Sequence, residues 1–152
     1  MNKENGGNES YILDSTAFLT LFEDEPGAET VQKLLERAKK GKIFIFASFV
    51  SFTEIFYITL REQGEEEAKR RIKLMNALAM TRVESSKELG LIAGQLKAAG
   101  KVSFADTWIA ATAIFYNAIL VHKDPEFEQL KDKIEMLKLP YKKIYKTQRP
   151  PQ

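Results

Sequence analysis

Apolar positions in this chain fall into short β-type runs separated by longer stretches with helical spacing. Tyr11–Leu13 is a β-type run ending at Asp14, and Ser15–Phe22 then reads as helix before a turn at Glu23–Gly27. Val31, Leu34, Leu35 and Ala38 recur at i, i+3, i+4 and i+7, the stripe of an amphipathic helix, which Gly41 closes. Ile43–Ala47 is apolar, aromatic and β-branched and predicts a buried strand. Phe49–Arg61 is apolar on nearly every side and predicts a central helix that buries all of its faces. Glu65–Leu78 opens with three glutamates and continues with lysines and arginines, the order a helix dipole favours. Thr81–Glu84 reads as a short strand, and Leu89, Ile92, Ala93 and Leu96 form another helical stripe stopped by Gly100. Ser103–Asn117 is a second nearly all-apolar helix, with Trp108, Ala111 and Phe115 on one face for core packing. Ala118–Val121 is a strand, Pro125–Leu130 starts a helix, and Ile134–Leu139 is a final edge strand.

Strands that alternate with helices predict βαβ units, hence a mostly parallel sheet covered on both faces in a three-layer α/β/α sandwich. The 152 residues fit a single domain, with no internal repeat and no linker. Met1–Ser10 reads as a polar, flexible leader, 11–139 as the domain and 140–152 as a basic tail. No secretory signal is visible, and the longest apolar runs, Ile43–Val50 and Ile109–Leu120, fall short of the roughly 20 residues that span a bilayer. A cytoplasmic protein is expected.

Composition narrows the chemistry. The chain has no cysteine and one histidine, His122, which excludes disulfides, thiol nucleophiles and Cys/His zinc sites. The net charge of +2 is unevenly spread, because Lys138–Gln152 holds five basic residues and no acid, leaving −3 on the rest. With Tyr141 and Tyr145, that tail suits phosphate attraction and base stacking. The cluster Lys69, Arg70, Arg71 and Lys73 reads as a solvated helix face.

Most acids sit in polar company, but Asp14, Glu54, Asp106 and Asp124 lie in or beside apolar segments. A carboxylate carried into a core needs a partner, a hydrogen bond or a metal. Each has a plain local explanation. Ser51-x-x-Glu54 and Ser103-x-x-Asp106 match the helix capping box, while Asp14 and Asp124 suit N-caps, the latter followed by Pro125. Both readings converge on one geometry, because strand C-termini of a parallel sheet share an edge and ligands bind outside it. Carboxylates gathered there need a neutralising cation, and oxygen-only ligands select Mg²⁺ or Mn²⁺. Such an ion activates water and stabilises an in-line phosphoryl displacement.

The set Tyr-Ile-Leu-Asp14-Ser-Thr-Ala-Phe-Leu, Glu54 in the middle helix, Phe-Ala-Asp106-Thr-Trp-Ile-Ala-Ala-Thr-Ala and Leu-Val-His-Lys-Asp124-Pro-Glu-Phe resembles the PIN-domain ribonucleases, most closely the small toxins of VapBC toxin–antitoxin systems. The resemblance spans about Tyr11 to Leu139, and its order and spacing are more specific than the opening Asp-Ser-Thr. It implies an α/β/α fold, a pocket binding Mg²⁺ or Mn²⁺, and endoribonuclease cleavage of RNA. Asp14, Glu54, Asp106 and Asp124 match the family's acidic positions, with Asp14 and Asp106 as metal ligands and Glu54 and Asp124 completing the shell or positioning the attacking water. Ser15 and Thr16 offer hydroxyls beside the pocket. An antitoxin chain and a homodimer are implied as partners, with Phe49, Phe52 and Phe56 as candidate interface residues. The sequence departs from the family at His122, which stands where a threonine or serine is usual and whose neutral imidazole can replace the hydroxyl's hydrogen bond or, protonated, meet phosphate.

Two other readings compete. An aspartyl-phosphate phosphotransfer domain built on Asp14 would want a second aspartate two residues later, where Thr16 stands. A non-catalytic RNA- or protein-binding module would be expected to lose at least one of the acids, and all are present.

Overall fold

The computed structural model describes residues 9–141. The predicted leader up to residue 8 and the basic tail from residue 142 lie outside the described residues. Strands β1 (Ser10–Leu13), β2 (Phe44–Ser48), β3 (Thr81–Val83), β4 (Ile119–His122) and β5 (Met136–Lys138) form one sheet in the order β3-β2-β1-β4-β5. Every pairing is parallel, so the sheet is fully rather than mostly parallel. Helices α1 (Ser15–Phe22), α2 (Ala28–Lys39), α3 (Phe49–Gln63), α4 (Glu65–Ala77), α5 (Lys87–Ala99) and α6 (Phe104–Tyr116) connect the strands. Pro125–Leu130 is a 3₁₀ turn rather than an α-helix.

Alternation along the strands sorts the core into two layers. Tyr11, Leu13, Ile45, Ala47, Ile119 and Val121 face α1, α2 and part of α3, with Phe18, Val31, Leu35, Phe52 and Ile55 buried among them. Ile12 and Leu120 face the other way, toward Ile109, Ala110, Ala113, Val102 and Phe127. This is the three-layer α/β/α sandwich. Among the described residues, no helix is long and apolar enough to cross a membrane.

Three expectations change. Helix α3 does not bury every face: Thr53, Tyr57 and Leu60, spaced i, i+4 and i+7, form an exposed stripe. Phe52 belongs to the core, under the Arg82 guanidinium at 4.3 Å from its ring centroid, while Phe49 and Phe56 are half-buried. In α6, Trp108 and Ala111 pack inward, but Phe115 is 51% exposed. Within the basic cluster, Lys69, Arg70 and Lys73 are solvated, whereas Arg71 is 3% exposed. Its guanidinium pairs with Glu67 at 2.9 Å and with Glu23 at 2.8 Å, joining α4 to the end of α1.

Candidate functional site

Parallel pairing places every strand end on one edge, and register fixes which residues meet there. Leu13 pairs with Val121, and the Asp14 amide continues the ladder by donating to the Val121 carbonyl at 3.0 Å. Asp14 therefore follows β1 directly beside the end of β4. It is the N-cap of α1, with Oδ2 accepting from the Thr16 amide at 3.1 Å and the Thr16 hydroxyl at 2.5 Å. The same hydroxyl accepts from the Lys123 amide at 2.9 Å, so one threonine ties Asp14 to the segment carrying Asp124. Asp14 is 2% exposed, and its second oxygen, Oδ1, is buried without a hydrogen-bond partner. Burial, opposed by the Thr16 donors and reinforced by the Glu54 charge, raises the Asp14 carboxyl from 3.8 to about 6.

Glu54 reaches this region from α3. The capping-box reading fails for it, because the N-cap of α3 is Ser48, whose Oγ accepts the Val50 amide at 3.2 Å. Strand β2 runs into α3 without a loop, which puts Ser51 already inside the helix. Glu54 Oε1 instead accepts from the Ser15 hydroxyl at 2.5 Å, and Ser15 lies 3.1 Å from the Ser51 hydroxyl. Buried Ser15 is thus the link between Glu54 and the first turn of α1.

Asp106, Asp124 and Glu126 each offer a carboxylate oxygen, and these oxygens all lie within 4.8 Å of one another. Asp106 is 8% exposed. Burial first, then a hydrogen bond with Glu126 and the charges of Asp14 and Asp124, raise its carboxyl well above the usual carboxylate range. Glu126 is held below its ordinary value, first by the hydrogen bond with Asp106. Asp124 caps the 3₁₀ turn as expected, its Oδ1 accepting from the Glu126 amide at 2.9 Å. Asp106 thus lies in reach of both Asp124 and Asp14, and Asp14 in turn feels Glu54. The acids form a chain across the sheet edge, with Glu126 an addition that the sequence reading missed.

His122 is fully buried in β4, edge-on to Phe127 at 5.2 Å between ring centroids. Its Nδ1 accepts from the Asp124 amide at 3.0 Å, so the other nitrogen, Nε2, carries the proton, buried without a partner. Burial lowers its pKa. A ring enclosed in this way stays neutral and presents no face to a phosphate; its contact is with the backbone that carries Asp124. His122→Ala removes a buried ring and leaves the Asp124 amide without its acceptor. A stability loss of about 2–4 kcal/mol is expected, read from urea unfolding of the two proteins at one pH.

Comparison with known proteins agrees with this architecture. A family model described as PIN domain matches residues 11–133. The fold is similar to VapBC2 from Rickettsia felis bound to a DNA fragment of its promoter, with TM-score 0.71 and 18% identity, covering 86% of this chain and 99% of that one. It is also similar to VapBC-1 from nontypeable Haemophilus influenzae, with TM-score 0.66 and 23% identity over 85% of this chain and 97% of that one. VapC20 from Mycobacterium tuberculosis, a toxin that cleaves the sarcin-ricin loop, has TM-score 0.63 and 14% identity over 78% and 93% of the two chains. A sequence search of curated proteins finds no match.

Proposed function

The chain belongs to the PIN domain family, and from that premise we propose that it is a divalent-metal-dependent endoribonuclease of the toxin type. The observation that carries this reading is the convergence of Asp106, Asp124 and Glu126 oxygens within 4.8 Å, with Asp14 and its orphaned buried oxygen alongside. An all-oxygen donor set of this charge fits a hard divalent cation, Mg²⁺ or Mn²⁺. When bound, such an ion supplies an activated water and neutralises charge on the scissile phosphate.

The residues of the chain divide the remaining work. Asp14, Asp106 and Asp124 would hold the ion, Asp14 through the oxygen that Thr16 leaves free. Glu54, fixed by Ser15 at one oxygen, keeps its other oxygen to ligate or to orient the attacking water. Thr16 and His122 set the backbone that presents Asp124. Thr16 stands where a phosphotransfer site would want a second aspartate, and its hydroxyl is taken up by Asp14 and the Lys123 amide, which argues against that reading.

RNA is the proposed substrate. The chain leaves the described region at Tyr141, whose hydroxyl donates to Glu128 at 3.3 Å in the turn that also carries Glu126. Lys142, Lys143, Lys146 and Arg149, outside the described residues, are proposed as further phosphate contacts. An antitoxin protein and a second copy of the chain are the proposed partners; the exposed stripe Thr53, Tyr57 and Leu60 supports an interface on α3. A cytoplasmic location is part of this proposal.

The test is cleavage of a mixed RNA pool with Mn²⁺ or Mg²⁺, with and without EDTA. Cleavage that requires the ion and stops with chelator is expected. Chelator-insensitive cleavage would refute the metal mechanism, and a calorimetric titration showing no saturable Mn²⁺ site would favour a non-catalytic binding module.

A further inference from the structure

In a helix opened by Ser-x-x-Asp, the serine hydroxyl takes the amide of the third helical residue and that residue's carboxylate returns to the serine amide. Only the first half of this exchange operates in α6. Ser103 Oγ accepts from the Asp106 amide at 3.3 Å, but the Ser103 amide donates to Glu126 Oε1 at 3.2 Å. Two residues earlier, the Lys101 amide likewise donates to a side chain from the same turn, Gln129 Oε1, at 3.1 Å. Side chains of the 3₁₀ turn after β4 therefore satisfy backbone donors at the start of α6.

We propose that Glu126 is a positioning residue that takes over the capping role of Asp106 and so keeps the Asp106 carboxylate turned toward Asp124. Asp106 has two competing destinations, its own helix cap and the acidic cluster. The cluster sets its carboxylate within 4.8 Å of oxygens of Asp124 and Glu126, whereas the cap would offer it an amide donor. With the Ser103 amide already occupied, the cap is closed to it. Remove the Glu126 side chain, and the capping box of α6 becomes available; Asp106 turns back to it and leaves the cluster. The position of Asp106 thus depends on a residue 20 positions away in sequence, on a different element. The role in cation binding rests on the metal-site reading above; the exchange of caps does not.

Two measurements on the full chain test this. Calorimetric titration with Mn²⁺ should show Glu126→Ala binding about 10–100-fold more weakly than the unaltered protein. Glu126→Gln, whose amide oxygen accepts the same donor, should recover most of that loss. Equal losses in both variants would make Glu126 a direct ligand and overturn the positioning role, as would no loss in either. Amide hydrogen exchange at Ser103 in metal-free buffer provides a readout independent of any ion. Asp106→Ala should leave the Ser103 amide as protected as before, and Glu126→Ala should leave it protected through Asp106. The double variant should exchange at least about tenfold faster than either. Faster exchange in Asp106→Ala alone would show Asp106 to be the native cap and refute the proposal; faster exchange in Glu126→Ala alone would show that Asp106 does not move. If the unaltered protein binds no Mn²⁺ while the exchange pattern holds, the metal reading fails and the cap exchange stands.

Discussion

Asp106→Asn should cleave RNA about 10³-fold more slowly than the unaltered protein in Mn²⁺, a loss of about 4 kcal/mol in transition-state stabilisation, and yet melt no lower without metal. The two halves of this result come from one cause. Asp106 is buried against Glu126, Asp14 and Asp124, and its carboxyl is raised well above the ordinary range. A group raised in the folded state contributes stability that is complete below its unfolded pKa and lost as pH rises through its folded pKa. At pH 7 the folded protein must keep a proton on Asp106 that the unfolded chain releases, so a neutral amide in its place removes that cost. The Ser103 cap remains, because its acceptor is Glu126. Single-turnover cleavage and thermal melting of the same two preparations check both halves. Severe destabilisation would mean that Asp106 serves chiefly as a cap.

The second large effect concerns Asp14 and pH. Its carboxyl rises from 3.8 to about 6, which corresponds to about 3 kcal/mol at 1.36 kcal/mol per pKa unit. The sign is that of a raised acid: the contribution is intact below about pH 4 and is lost as pH climbs through 6. His122 titrates in the opposite sense, since burial lowers its pKa and costs stability as pH falls. The comparison that isolates Asp14 is therefore the difference between Asp14→Asn and the unaltered protein. Without metal, the variant should gain nothing at pH 4 and about 3 kcal/mol at pH 7, roughly 6–12 °C in melting temperature for a chain of this size. Asparagine still accepts the Thr16 amide, so α1 keeps its cap. Mn²⁺ at about 100 times its dissociation constant should stabilise the unaltered protein by about 2.7 kcal/mol and the variant much less, nearly erasing the difference. A melting profile in which the two proteins stay parallel from pH 4 to 7 would show that Asp14 carries no such cost.

Most of the fold was legible because its signals are periodic and local. The short apolar runs at Tyr11–Leu13 and Ile119–Val121, buried on both faces, and the i, i+3, i+4 stripes of α2 and α5 match the layers the residues occupy. The isolation of Asp14, Glu54, Asp106 and Asp124 among apolar neighbours was visible for the same reason. What stayed hidden depends on partners distant in sequence. Ser51-x-x-Glu54 imitates a capping box only because the sequence does not reveal that β2 passes straight into α3 at Ser48. Arg71 looks like one more surface cation until Glu23, 48 residues away, is brought against it. Glu126 sits in Asp-Pro-Glu-Phe-Glu, an ordinary polar turn, and gains its place only when that turn docks on the start of α6. Phe115 has helical spacing for the core but falls where α6 runs out of neighbours.

The sheet order β3-β2-β1-β4-β5 bears on when, during synthesis, the acidic cluster can form. Its central strand, β1, is made first and must hold a place open on one side until β4 arrives more than a hundred residues later. The Thr16 hydroxyl joins Asp14 to the Lys123 amide across a separation of 107 residues. Contacts so distant in sequence carry a high loop-closure cost and form late. A nascent chain displaying Asp14 and Glu54 therefore has only half of the acidic cluster. The acids assemble only once β4 and the turn after it have emerged, so the proposed activity would switch on with completion of the fold rather than grow with chain length.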